Sequence, residues 1–398
     1  MSKISLSPNA SGTGTFTIQS PAGNTNRTFT LPDADGELSV GGGGFTYVAV
    51  TGATQDLDLD EGNFFDAGVQ TSDTTLTFSN VPTEASWSYF FKAGIDPSTT
   101  WDLTNINANN KLSLNISDQD SLPRGLAFNA DGTRMYTAGG ANDSIHQYDL
   151  GVPWIVTSAI FRNSFDCSAN SNNPMGIDFK PDGTIMYLIG YDTDTVAQYS
   201  LSTAFDATTA TYVKNFSVQS QSTFPYGVNF LGDGTKMYVA SASNIYEYHL
   251  STAWDVATAS YSGTILYQAS KTMTDCFMKP DGTKLYVLEI VSDFIQEYTL
   301  STAGVLSSAT LTDSHYIGSD EGNAEGIWVH PDGSSIYILG YNEDNVFQYP
   351  VGTAFTLTVP SSIENFSASA LINGQSVVYD FLSSDGGTTV KLIGEEVF

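Results

Sequence analysis

Apolar and polar residues alternate with a period of two along most of this chain, and the alternating runs return in a fixed set. Each set opens on an apolar run, usually centred on glycine: PRGLAF (Pro123–Phe128), PMGIDF (Pro174–Phe179), PYGVNF (Pro225–Phe230), TDCFMK (Thr274–Lys279) and AEGIWV (Ala324–Val329). An Asp-Gly turn and a tyrosine-bearing segment follow. They read DGTRMY from Asp131, DGTIMY from Asp182, DGTKMY from Asp233, DGTKLY from Asp281 and DGSSIY from Asp332. A third segment ends at Tyr148, Tyr199, Tyr248, Tyr298 or Tyr349, and a Ser/Thr/Ala-rich stretch such as LSTAFDATTATYV (Leu201–Val213) completes the set. Period-two alternation rich in Val, Ile, Tyr, Phe and Thr predicts strands. The Asp-Gly pair supplies the positive φ of a tight hairpin. No 3.6-residue apolar period recurs, which disfavours a helical solenoid.

The Asp-Gly anchors stand 48 to 51 residues apart. Four short antiparallel strands at such a spacing describe a β-propeller blade, so five anchors predict five blades. The fifth set stops at VGTAF (Val351–Phe355), where the others begin an outer strand. Ahead of the first anchor, STTWDLTNINANNKLSLNIS (Ser98–Ser117) resembles the blade ending STAFDATTATYVKNFSV (Ser202–Val218). Residues 101–117 are therefore expected to supply the last blade's outer strand, which closes the ring and removes its open edges. Trp101 and Phe355 would then occupy equivalent corners, with the chain joining and leaving the ring side by side. Trp154, Phe205 and Trp254 recur at the same corner, a pattern of core packing.

The flanks lack the blade pattern. Residues 1–44 are small and polar, with GTFTIQSPAGNTNRTFTLP (Gly14–Pro32) reading as a hairpin and GGGG (Gly41–Gly44) as a flexible joint. This piece is too small to bury a core alone and is expected to pair with other chains. Residues 45–95 hold the strand candidates FTYVAV (Phe45–Val50), TLTFSNV (Thr75–Val81) and SWSYFFKAG (Ser86–Gly94). Residues 355–398 hold FTLTVP (Phe355–Pro360), VVYDFLSS (Val377–Ser384) and TTVKLIGEEVF (Thr388–Phe398). Each half is short for a sandwich of its own, so the expectation is an all-β chain. A five-bladed β-propeller (residues 96–354) is inserted into a small β-sandwich, behind an N-terminal β-hairpin attachment segment.

Charge narrows the partners. With 43 acidic and 14 basic residues the formal net charge is −29, which argues against nucleic acid or anionic membrane as a partner and favours solubility in salt. No apolar run is long enough for a membrane helix, and MSKISLSPNASGTG has no apolar core of a secretory signal. The two cysteines, Cys167 and Cys276, lie in different repeats, so no disulfide framework is expected, and Cys276 reads as a small core residue.

The chemistry-bearing residues are sparse. His146, His249, His315 and His330 show no metal-ligand spacing, and no nucleophile elbow or phosphate-cradling loop occurs. DLDLDEGNFFD (Asp56–Asp66) offers Asp56, Asp58 and Asp60 at calcium-loop spacing, but Ala67 stands where the terminal bidentate Glu would be; the same alternation describes an exposed strand face. No catalytic residue, metal or cofactor is expected, and the chain is not read as an enzyme. Asp143, Asp194, Asp293 and Asp344 each lie five residues before a blade tyrosine, a recurrence that fits turn capping. The residues that do not repeat are the better binding candidates: Tyr191, Asp192, Tyr341, Asn342 and Glu343 pair aromatic faces with carboxylates and amides, as carbohydrate binding requires. The inner-strand phrases also offer Asp178 and Asp275, a possible carboxylate pair for a glycosidase in the central pocket.

Several stretches resemble known families. ISLSPNASGTGTFTIQSPAGNTNRTFTLPDADGELS (Ile4–Ser39) resembles the opening segment of tailed-phage fibre and appendage proteins, especially those of marine phages. GNFFDAGVQTSDTTLTFSNVP (Gly62–Pro82), FTLTVP and YDFLSSDGGTTV (Tyr379–Val390) resemble the start and end of a small phage tail sandwich. KPDGTIMY (Lys180–Tyr187), KPDGTKLY (Lys279–Tyr286) and HPDGSSIY (His330–Tyr337) resemble lactonase-like and quinoprotein-like repeat propellers, although Ala130 and Gly232 replace the phrase's proline in two repeats. The resemblance implies a virion structural protein, a tail fibre or appendage subunit. It would contact other virion proteins, assemble as a homo-oligomer (a trimer, as fibres commonly do) and bind a host surface glycan or receptor through the propeller loops. The rival expectations are a non-adhesive capsid or tail decoration protein and a polysaccharide-degrading enzyme.

Overall fold

The computed structural model describes residues 47–50, 53–61, 64–69, 74–82, 85–92, 96–352, 357–358, 363–364, 376–383 and 390–397. The expected N-terminal hairpin, Phe355 and the DGGTT phrase lie outside them. Among the described residues the regular structure is strands and short 3₁₀ turns.

Residues 112–350 form five four-stranded antiparallel sheets, the blades of a β-propeller. Blade 1 runs Pro123–Phe128, Arg134–Gly139, Ser144–Leu150 and Ala159–Asp166, from inner to outer strand. Blades 2, 3 and 4 repeat this order from Pro174, Pro225 and Met273. Blade 5 takes Ala324–Val329, Ser335–Gly340 and Asn345–Pro350 from the chain's later part and Leu112–Asn115 from its earlier part. Asn345 pairs with Asn115 and Val346 with Leu114, so the ring closes as the spacing predicts. The strand is shorter than the segment assigned to it, because residues 103–105 and 108–110 form 3₁₀ turns.

The repeated phrase has a physical reason at each position. The turn aspartate accepts the backbone N–H two residues on, as Asp131 does from Thr133 at 3.0 Å and Asp281 from Thr283 at 2.9 Å. The glycine takes φ near +70° (Gly132 +71°, Gly183 +70°), a conformation costly for other residues. It also lies under the corner aromatic: a Cβ at Gly132 would come within 2.2 Å of the Trp154 ring, and one at Gly333 within 2.3 Å of Trp101. Trp101 therefore occupies the same corner as Trp154.

The tyrosine is the joint between blades. Tyr187 donates its hydroxyl to the Trp254 carbonyl at 2.6 Å, Tyr238 to Gly304 at 2.7 Å, Tyr286 to Trp101 at 2.6 Å and Tyr337 to Trp154 at 2.9 Å. Tyr136 donates to Phe205 in the same way. Each bond runs from one blade to the corner of the next, five times around. A second circle lies on the third strands: Gln147, Gln198, Glu247, Glu297 and Gln348 accept the N–H groups of Ala207, Val256, Leu306, Leu103 and Val156. Where the acceptor is a buried carboxylate, Lys236 or Lys284 neutralises it, as burial of a charge demands.

The flanking strands form two further sheets. Thr54–Asp58, Thr74–Ser79 and Leu357–Thr358 make one; Tyr47–Ala49, Phe64–Val69, Ala85–Lys92, Ser376–Ser383, Val390–Val397 and Ile363–Glu364 make the other. Ala85–Lys92 pairs antiparallel with Ser376–Ser383, bringing Trp87 opposite Phe381. Leu57 and Leu76 of the first sheet share a core with Phe65, Trp87 and Phe381 of the second, which makes the pair a sandwich. Several of its strand pairs are parallel, such as Thr54–Asp58 with Thr74–Ser79, a direction that alternation alone does not encode.

Candidate functional site

The ring has two unlike ends. Inner strands start at the end where the second and third strands of each blade are joined by loops, and they run toward the Asp-Gly turns. Midway, Gly125, Gly176, Gly227 and Gly326 bring neighbouring inner strands nearly into backbone contact: a Cβ at Gly125 would lie 2.8 Å from the Gly176 Cα. Asp275 takes the glycine place in blade 4. This narrow belt separates the two ends.

At the loop end, Tyr191 is half-buried and its ring centre lies 5.6 Å from Phe224 and 5.8 Å from Tyr226. Tyr341, also half-buried, carries the Arg124 guanidinium 4.4 Å above its ring centre. Asp192, Asn342 and Glu343 are exposed beside these tyrosines. The five sequence-derived residues thus fall into two groups, on blade 2 and on blade 5, with blade 1 between them. Residues at the second place of the inner strands lie between the groups. Arg124 pairs with Glu325 at 2.7 Å. Burial raises the Tyr226 hydroxyl, with Tyr191, Glu325 and Arg124 also acting on it. Glu321 holds the blade 5 loop from beneath, accepting the N–H groups of Asn323 (2.9 Å), Asn342 (3.2 Å) and Glu343 (3.2 Å).

Arg124 and Tyr226 were not among the sequence candidates, whereas Glu321 and Glu325 lie in GSDEGNAE (Gly318–Glu325), a loop phrase that the sequence places on this same face. One signal was present: Arg124, Met175, Tyr226, Thr274 and Glu325 stand at one place of an otherwise repetitive phrase and are all different. A position that escapes the repeat is not required by the blade.

The inner-strand carboxylates are occupied with joining blades. Asp178 accepts the N–H of Phe179 at 2.7 Å, of Phe230 at 2.9 Å and the Asn229 amide at 3.1 Å. Asp275 accepts the N–H of Cys276 at 2.8 Å and of Ile327 at 3.0 Å. Burial pushes Asp178 up to about 7 and Asp275 well above the usual carboxylate range, against these hydrogen bonds. The recurring aspartates of the loops take left-handed backbone (Asp143 +49°, Asp194 +49°, Asp293 +59°, Asp344 +50°). Their carbonyls receive the chain just past each outer strand, as Asp344 does from Ile116 at 2.8 Å. In the sandwich, Asp56 accepts Thr77 and Ser79 hydroxyls at 3.0 and 2.6 Å, and Asp58 accepts the Asn80 amide at 2.9 Å. These bonds come from the neighbouring strand and from Asn80, which follows it.

The Asp-Gly-turn end holds an apolar cavity of about 310 Å³, lined by Phe128, Phe179, Phe230, Phe277, Trp254 and Trp328 among others. Trp328 reaches across the axis, packing against apolar clusters of blades 4 and 5, of blades 1 and 2, and of blades 5 and 1. Both cysteines are buried and free.

No family model matches the chain, and no curated protein matches it. Among solved structures, it is similar to the hydrazine synthase of Kuenenia stuttgartiensis, with 14% identity and a TM-score of 0.37, over 69% of this chain and 66% of that one. A functionally unknown protein from Desulfotomaculum acetoxidans matches at 12% identity and a TM-score of 0.36, over 69% of each chain. A candidate 6-phosphogluconolactonase from Bacteroides uniformis matches at 14% identity and a TM-score of 0.38, over 69% of this chain and 88% of that one. The five-bladed propeller stands on the strand pairing described above, independently of these scores.

Proposed function

We propose that this chain is a virion surface subunit of tail-fibre or appendage type, and that its propeller binds a host surface glycan with the loop end. The observation that carries the reading is the pair of backed aromatic faces on that end. Tyr191 is braced by Phe224 and Tyr226, and Tyr341 by Arg124, each beside exposed carboxylate or amide groups. Sugars are bound by such pairs: an aromatic face takes the C–H side of the ring, and carboxylates and amides take hydroxyls. A pre-braced ring loses little entropy on binding. The virion part of the reading is supported by the resemblance of the flanking stretches to phage appendage proteins. Weak single sites would be reinforced by copies on one particle.

The test is binding of the full chain, displayed multivalently, to a glycan array and to host cells. Loss of binding in Tyr191→Ala and Tyr341→Ala variants of unchanged fold is the expected result. A well-folded chain that enters virions yet binds no surface glycan would point instead to non-adhesive decoration.

A further inference from the structure

We propose that the apolar cavity at the Asp-Gly-turn end is a second binding site, separate from the loop end, for an uncharged, largely apolar molecule of one or two rings. All five blades build it. The last residue of each inner strand lines the wall: Phe128, Phe179, Phe230, Met278 and Val329. Phe277 and Trp328, one place earlier, meet edge to face with ring centres 5.2 Å apart. The glycine belt lies between this cavity and the loop end, so entry is past the residues that precede the turn aspartates. Ala130, Pro181, Gly232, Pro280 and Pro331 line the cavity there and are exposed.

The chemistry of the occupant follows from the wall. A volume of about 310 Å³ lies at the small end of ligand pockets, which run from about 300 to 1,000 Å³. A water inside needs two to four polar partners, and the polar side chains of this wall are committed elsewhere. Asp178 takes the Phe179 and Phe230 N–H groups and the Asn229 amide. Asn229 Oδ1 takes the Met278 N–H at 2.8 Å. Lys180 Nζ meets the turn carboxylate of Asp182 at 2.6 Å. A lone donor such as the buried Trp328 Nε1–H does not hold a water by itself. Water is therefore poorly held here, and an apolar molecule gains by displacing it. The aromatic rings of the wall offer edges and faces to a further ring.

The wall also sets the charge. Three hydrogen bonds favour the Asp178 anion, yet burial pushes it up to about 7. A ligand carboxylate in the same place meets the same loss of hydration without those bonds, and the net charge of −29 opposes it further. An ammonium group loses its hydration too, and finds both Asp178 oxygens spent on N–H groups.

The experiment is saturation-transfer NMR titration of the full chain with indole, and with tryptamine and indole-3-acetate, which carry the same ring with a positive or a negative charge. Indole is expected to bind saturably, at least about tenfold tighter than either charged form. Nuclear Overhauser contacts from bound indole to the Met278 and Val329 methyl groups are expected to place it in the cavity. Ala130→Phe sets a ring at the mouth and is expected to weaken indole by about tenfold or more. Because Ala130 is exposed, the variant should melt with the parent. The ligand comparison and the methyl contacts need no variant, so they decide the matter even if it does not. No saturable binding by the folded chain overturns the proposal. So does indole without contacts to those methyl groups, a charged form that binds as well as indole, or binding unchanged in a folded Ala130→Phe chain. Glycan binding at the loop end stands or falls separately.

Discussion

Tyr286 donates its hydroxyl to the carbonyl of Trp101 at 2.6 Å, across 185 positions of sequence. The bond joins a blade 4 strand to a corner that precedes the first repeat. It is the same bond that the other four blade tyrosines make with the next corner, so the early segment enters the ring as a full member of blade 5. Lys284 donates to the same carbonyl at 2.6 Å. In blade 2 the corresponding residue is Ile185, which has no side-chain donor.

That difference ranks two otherwise alike substitutions. Tyr286→Phe leaves the Trp101 carbonyl a partner and is expected to cost about 1 kcal/mol, whereas Tyr187→Phe removes the hydroxyl from the Trp254 carbonyl and is expected to cost about 2–3 kcal/mol. Urea unfolding of the two variants checks the order; equal losses would mean that the lysine contributes nothing.

The glycine belt predicts a sharp positional contrast. A Cβ at Gly125 would meet the Gly176 Cα at 2.8 Å and the Met175 carbonyl oxygen at 2.9 Å, both backbone atoms that cannot move aside. At Gly151 the nearest atom is 3.7 Å away. Gly125→Ala should therefore destabilise by at least about 1–3 kcal/mol, and Gly151→Ala should stay within about 0.5 kcal/mol of the parent. Thermal unfolding measured side by side distinguishes them.

Stability should fall as pH rises through the mildly acidic range. Burial raises Asp178 and Glu325 to about 7 from ordinary values of 3.8 and 4.5. Between those limits the unfolded chain has released protons that the native chain keeps, so each group takes away up to about 1.4 kcal/mol per pH unit as pH climbs. Above about pH 7 their effect is constant. Asp182 and Asp332 act the other way: against burial, hydrogen bonds from Lys180 and Thr184, and from His330 and Ser334, hold them at about 2. Their contribution is lost as pH falls below about 4. The melting temperature should be higher at pH 5 than at pH 8, and Asp178→Asn should flatten that slope. A melt that is higher at pH 8 would contradict the assignment.

Salt should stabilise the fold. With a net charge of −29, self-repulsion opposes compaction and is screened beyond roughly 8–10 Å at physiological ionic strength. Raising sodium chloride from 10 mM to 500 mM should raise the melting temperature, with most of the gain at the low end. A flat response would mean that the acidic groups are already compensated locally.

The architecture was legible because a propeller repeats its joints. Asp-Gly, the strand tyrosine and the corner aromatic each solve one local problem, a tight turn, a link between blades and a cover over the turn glycine, and every blade must solve it again. Recurrence therefore exposed blade number, ring closure and the corner role of Trp101. The binding surface is written differently. Tyr191 and Tyr341 stood out as departures from the repeat, but Arg124, Tyr226 and Glu325 lie 99 to 201 positions apart and meet only because five inner strands converge on one axis. The roles of Asp178 and Asp275 were undecided for the same reason: alternation does not say which neighbour's N–H a carboxylate will find.

By itself the sequence determined the all-β character, the five blades and the closing strand, since these follow from period-two alternation and turn chemistry, which act over a few residues. Tertiary structure alone decided the parallel pairings of the sandwich, the apolar cavity at the turn end, and the pairing of Arg124 with Glu325. Those depend on which backbones lie side by side after the ring has closed, and contacts between distant residues leave no local pattern to read.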